Sequence, residues 1–126
     1  MINFPVKGDV IVLNAEPHSG KEFGGHNESS GNVRRHMIVM SSDAYNRATG
    51  MVLAMPITTS ERHRNQPGYY PILIIGGNSN GVKGFVALWQ LQNFDFKSRN
   101  GKIVNKITSK QYDDLLPYVK DMLDIN

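Results

Sequence analysis

The sequence predicts a mainly β domain, a small barrel of five or six short strands closed by a helix at its C-terminal end. Three observations predict it. Short apolar runs recur between turn signals along most of the chain, the pattern of a compact all-β fold. Two of these runs, 37–40 and 51–57, flank the turn-rich segment 41–50 and read as an antiparallel hairpin. Near the C-terminus Tyr112, Leu115, Leu116, Val119, Met122 and Leu123 recur at helical spacing, one apolar stripe on a helix.

Each element follows in order. Residues 10–13 form a first buried strand after the turn Lys7-Gly8-Asp9. From 15 to 33 the chain is polar and glycine-rich with almost no apolar period, a long loop of the kind that often carries function. Strands two and three are the hairpin. Residues 61–68 are charged and end in the turn signal Pro67-Gly68. Residues 69–75 and 84–91 are further strands, separated by Gly76-Gly77-Asn78-Ser79-Asn80-Gly81. Residues 97–102 are basic and loop-like, and 103–107 suit a short edge strand. Thr108 and Gln111 fit a capping box at the start of the helix, and Pro117 is expected to kink or split it.

The chain has 126 residues, which suits a single domain over 1–126 and buries roughly two thirds of the unfolded surface. Hydrophobic residues are 40%, too many for a disordered chain. The formal charge of +3 fits solubility or an anionic partner. Cysteine is absent, so disulfides and thiolate chemistry are excluded. No apolar stretch reaches membrane-spanning length, and the first residues lack the pattern of a signal peptide; a cytoplasmic protein is expected. Asn27-Glu28-Ser29 matches a glycosylation sequon and is taken as chance.

Several motifs lose to plainer readings. Ser19-Gly20-Lys21-Glu22 lacks the first glycine and closing hydroxyl of a phosphate loop. His18, His26, His36 and His63 lack metal-ligand spacing, so neither metal nor other cofactor is expected. The hairpin carries the functional clue. With a turn centred near Asn46, Arg35 faces the Ile57–Thr58 region. Guanidinium and hydroxyl at one rim suit a phosphate. Arg34, His36 and Ser60 flank them as candidate contacts to the same ligand. Trp89 offers a stacking face and Gln90 an edge for a base. Lys21, Arg62, Arg64, Lys97 and Arg99 are solvated charges or a phosphate track.

Read together, these residues resemble the MazF/PemK family of toxin endoribonucleases. Gly8-Asp9-Val10-Ile11 matches the family's opening, and Pro17-His18-Ser19-Gly20-Lys21-Glu22-Phe23-Gly24-Gly25 its loop. Arg35-His36-Met37-Ile38-Val39-Met40-Ser41, Asp43-Ala44-Tyr45-Asn46 and Pro56-Ile57-Thr58 fit the second strand, the turn and the third strand. Val86-Ala87-Leu88-Trp89-Gln90, with Asp95 and Arg99, fits the later strand and basic loop. The chain departs from the pattern in an insertion near 27–34, in His36 for a proline, in Phe23 for a glutamine, and in Trp89 where some members carry an acid.

The resemblance implies an SH3-like barrel of the CcdB/PemK type, with five to seven strands and a C-terminal helix. It implies a homodimer that cuts single-stranded mRNA, an antitoxin partner whose extended tail fills the RNA groove, and DNA binding by the toxin–antitoxin complex. By position, Arg35 and Thr58 are the catalytic pair, Glu22 is an acidic loop residue near them, and Gln90 lies on the RNA-binding face. Internal transesterification is the expected reaction, with Glu22 or His36 assisting proton removal. The competing readings are a non-catalytic module of the same fold, such as a gyrase-directed toxin, and an RNA binder that does not cut. The loop 20–33 is expected to act as a flap.

Overall fold

The computed structural model describes residues 3–15, 34–76 and 81–125. In chain order these hold β1 (Asp9–Asn14), β2 (Arg34–Val39), α1 (Asp43–Thr49), β3 (Met51–Thr58), a 3-10 turn (Glu61–His63), β4 (Tyr69–Ile74), β5 (Val82–Ala87), β6 (Gln92–Asp95), β7 (Lys102–Lys106) and α2 (Ser109–Met122). The seven strands form one antiparallel sheet in the order β4-β5-β3-β2-β1-β7, with β6 paired to β3. The expected class, a mainly β half-barrel with a C-terminal helix, is the observed one. The flap over 20–33 lies outside the described residues.

The sheet curls because both its faces are apolar. On one, Val10, Ile38, Met55, Ile57, Val86 and Leu115 of α2 form a buried cluster. On the other, Ile11, Leu13, Met37, Val39 and Val52 pack with Phe94 and Phe96. Alternate residues of β1, β2 and β3 feed the two clusters, as strand alternation requires. The outer strands β4 and β7 are then tied by side chains. Asn105 Nδ2 donates to the Ile75 carbonyl at 2.9 Å, and Gln111 Nε2 to the Leu73 carbonyl at 2.8 Å.

The hairpin has the expected register: Met37 faces Pro56, Ile38 faces Met55 and Val39 faces Ala54. Its connection is not a turn but the helix α1. Ser42 caps it by accepting from the Tyr45 N–H at 3.2 Å. Gly50 ends it at φ 72, a left-handed cap that glycine takes without strain. Asn46 is fully buried there and donates to the Pro5 carbonyl at 2.8 Å.

Two further expectations are corrected. The strand placed at 84–91 runs Val82–Ala87, and a separate short strand, Gln92–Asp95, follows the turn at Leu88 and Trp89. Pro117 does not split α2, which is continuous over Ser109–Met122. Both Pro117 and Asp113, whose carbonyl loses its donor, are exposed, so water serves that carbonyl and the break costs less. The Thr108–Gln111 capping box is present, and Leu115 is fully buried. Tyr112 adds a bond from its hydroxyl to the Met40 carbonyl at 2.8 Å.

Candidate functional site

Continuing the β2–β3 register by two residues sets Arg35 opposite Thr58. Arg35 also faces Leu13 on β1, Thr58 faces Phe85 on β5, and Phe85 faces Pro71 on β4. Leu13, Arg35, Thr58, Phe85 and Pro71 therefore make one row across adjacent strands. Directly opposed residues share a face, so the Arg35 and Thr58 side chains leave the sheet on the same side.

Local contacts hold both groups. Arg35 is half-buried, and its Nη1 donates to the Ile57 carbonyl at 3.3 Å. Thr58 is 9% exposed, and its Oγ1 accepts from the Ser60 N–H at 3.3 Å. A hydroxyl that accepts from the backbone keeps its own proton for another acceptor. Behind Thr58 lies Gly84, where an added Cβ would stand 2.5 Å from the Thr58 carbonyl oxygen. The glycine lets β5 approach the backbone that carries Thr58.

The neighbours divide. Arg34 points its donors elsewhere: Nη1 to Asn14 Oδ1 at 3.1 Å, and Nη2 to the Val12 carbonyl at 2.9 Å and to the Asn100 carbonyl. It ties β2 to β1 and to the turn before β7. His36 is paired with Val12 and follows Arg35 on the strand, so its side chain belongs to the opposite face from Arg35 and Thr58. Burial lowers its pKa, which favours a neutral ring at pH 7. As a proton acceptor beside Arg35 it is on the wrong face. Ser60 stays at the rim through its backbone bond to Thr58.

Gln90 is 7% exposed, so the structure buries the side chain expected on a binding face. Trp89 is 45% exposed and meets Tyr69 edge-on with ring centres 6.3 Å apart. Tyr69 in turn stacks on His63 at 4.0 Å. Arg99, expected as a solvated charge, donates to the Asn14 carbonyl at 2.9 Å and lies over Phe94. Phe94 and Phe96 are core. Lys21 and Glu22 lie outside the described residues. Among the described residues no group of three or more His, Asp or Glu side chains could hold a metal ion.

Sequence reasoning missed Gly84, Phe85 and a cavity beside them. The cavity holds about 320 Å³ and includes Glu61, Arg64 and Lys83 in its lining. A lone glycine inside an apolar strand was the available signal, since it marks a close backbone approach.

Comparisons with known proteins bear on the family and the fold. The family profile described as PemK-like, MazF-like toxin of type II toxin-antitoxin system matches residues 6–123. Endoribonuclease toxin MazF of Escherichia coli (strain K12) is 33% identical over 79 residues, spanning 62% of this chain and 60% of that protein. Endoribonuclease MazF of Escherichia coli O157:H7 matches to the same extent, 33% over 79 residues. The chain thus spans less than two thirds of the length of both relatives. Among solved structures, MazF from Deinococcus radiodurans superposes with a TM-score of 0.76 at 24% identity, covering 98% of this chain and 100% of that one. A MazE-MazF structure from the same organism gives 0.72 at 22% identity, covering 99% and 100%. At such identities these structures speak for the fold.

Proposed function

The chain belongs to the PemK-like, MazF-like toxins of type II toxin–antitoxin systems, and from that premise we propose that it is an endoribonuclease toxin that cuts single-stranded RNA by internal transesterification. One observation carries the reading: the β2–β3 register, continued two residues beyond the Met37–Pro56 pair, sets Arg35 opposite Thr58 on one face, which supports a cation and a hydroxyl gripping one phosphodiester.

In this reaction the ribose 2′-hydroxyl attacks the adjacent phosphorus. A five-coordinate dianionic state forms, and the 5′-oxygen leaves. The products are a 2′,3′-cyclic phosphate and a 5′-hydroxyl. RNA brings its own nucleophile, so the protein supplies position and charge stabilisation. Arg35 holds the non-bridging oxygens and protonates the leaving oxygen late. Thr58 donates to the same phosphate, its hydroxyl oriented by the Ser60 N–H. Each such donor contributes about 3 kcal/mol, or a hundredfold in rate. The chemistry asks for no metal. Glu22 is the remaining proposed proton acceptor, since His36 falls on the other face.

The relatives extend the reading. Solved MazE-MazF structures share this fold, so a cognate antitoxin is the proposed inhibitor, acting on a cytoplasmic homodimer. The test is mixed RNA incubated with purified protein in EDTA, followed by analysis of the ends. Short fragments with cyclic phosphate and 5′-hydroxyl ends are expected. Intact RNA, or 5′-phosphate ends, overturns the reading; relaxed DNA in a parallel gyrase assay would instead favour a binding toxin.

A further inference from the structure

Next to the row that holds Arg35 and Thr58 is a cavity that the reaction above leaves unused. It lies where the 3-10 turn meets β4 and β5, and holds about 320 Å³, near the lower end for a small-ligand site. Pro71, Leu73 and Phe85 supply apolar wall, and Glu61, Arg64 and Lys83 supply charge. Its place relative to the phosphate site follows from the pairing. Phe85 is one strand across from Thr58, and Pro71 one strand further. At about 4.8 Å per strand, the cavity begins roughly 5–10 Å from Thr58. That is the place of the nucleotide beside the scissile phosphate. Thr59, which follows Thr58 directly, also lines it.

Building on the nuclease reading, we propose that this cavity binds a guanine base adjoining the cut and so selects the cleavage site. Exposed Pro71 and Leu73 take one face of a flat ring, and the Arg64 guanidinium, which lies over the Phe85 ring at 5.6 Å, offers the other. The charged groups match guanine's edges, which offer acceptors at O6 and N7 and donors at N1 and the 2-amino group. Lys83 is exposed and supplies a mobile ammonium for O6 and N7. Glu61 supplies the acceptor for N1–H. Arg64 grips that carboxylate through three contacts, at 2.7, 2.8 and 3.1 Å, and of a carboxylate's roughly four lone-pair sites one is left, on Oε1, to accept from N1–H. The same guanidinium lowers the Glu61 pKa and keeps the acceptor anionic. Adenine would set its amino group against Lys83 and bring no N1–H to Glu61. A pyrimidine is too short to reach both.

The test separates the cavity from the chemistry. The full chain is titrated with uncleavable 2′-O-methyl oligouridylates carrying one central guanine or one central adenine. The expected preference for guanine is about tenfold, falling to near one in both Glu61→Gln and Lys83→Met. In a second arm, ends cut from mixed RNA should show guanine at one position flanking the cut, lost in both variants. Equal binding of the two oligonucleotides overturns the proposal, and so does a guanine preference that both variants keep. So does a Lys83→Met variant that weakens antitoxin binding alone. A protein that cuts RNA without preferring guanine defeats the cavity assignment and spares the nuclease. One that prefers guanine yet cuts nothing does the reverse.

Discussion

The two sides of β2 and β3 are built from the same strands to opposite ends. Beneath α2, Ile38, Met55 and Ile57 pack against Leu115 with almost no exposure. At the rim on the other face, the regular alternation continues for one more pair, and the paired residues become Arg35 and Thr58. The first side supplies free energy of folding. The second holds two polar side chains in fixed register, Thr58 buried and Arg35 half-buried. The difference teaches that the site is the last rung of a ladder whose lower rungs are core, so its geometry is inherited from packing.

That contrast can be broken from either side. Leu115→Ala should lower stability by about 2–5 kcal/mol through cavity formation, read as a lower urea midpoint, while the activity per folded molecule holds. Arg35→Ala should do the opposite. Cutting falls about a hundredfold, or ~3 kcal/mol, with an unchanged unfolding midpoint. An Arg35→Ala protein that cuts at the normal rate would remove the arginine from the mechanism.

Gly84→Ala tests whether the two sides are as separate as they look. Its new Cβ would meet the Thr58 carbonyl at 2.5 Å, and backbone cannot rotate away as a side chain can. The expected cost is about 1–3 kcal/mol of stability together with roughly tenfold slower cutting, though no group of the proposed chemistry has changed. Normal cutting by this variant would show that β3 yields without moving Thr58.

The smallest effect belongs to His36. Burial depresses its folded pKa, so the unfolded chain takes up the proton more readily. Stability from this group is full above the unfolded value of about 6.5 and is lost as pH falls through the depressed folded value. Urea midpoints measured from pH 7 to pH 5 should fall slightly more in the wild type than in His36→Gln. Identical slopes would place the ring in water.

Much of this was legible in the chain because the hairpin is nearly symmetric. Apolar runs on either side of Asn46 leave few registers that keep Ile38 and Met55 inside. The register survived even though the connection is the helix α1, because Ser42 and Gly50 cap a seven-residue element that returns the chain to the same place. Those caps were readable, but seven residues between strands look like a turn. β6 was invisible for another reason. Only Phe94 of its four residues is buried, too few to show a period of two. Arg34 and Arg99 look like solvated charges in sequence, yet they bond to carbonyls distant along the chain. Pairings of that kind follow from topology and leave no local signature. The burial of Gln90 is legible only once Leu88 and Trp89 are seen to turn.

Gln111 serves two elements at once. Its amide oxygen accepts from the Thr108 N–H at 2.9 Å while its nitrogen donates to the Leu73 carbonyl at 2.8 Å. One side chain thus fastens the first turn of α2 and the seam between that helix and β4. Fraying of that turn and parting of the seam become a single event. Local opening at this corner is an all-or-none latch, and amide hydrogens on either side of it should exchange with solvent at a common rate.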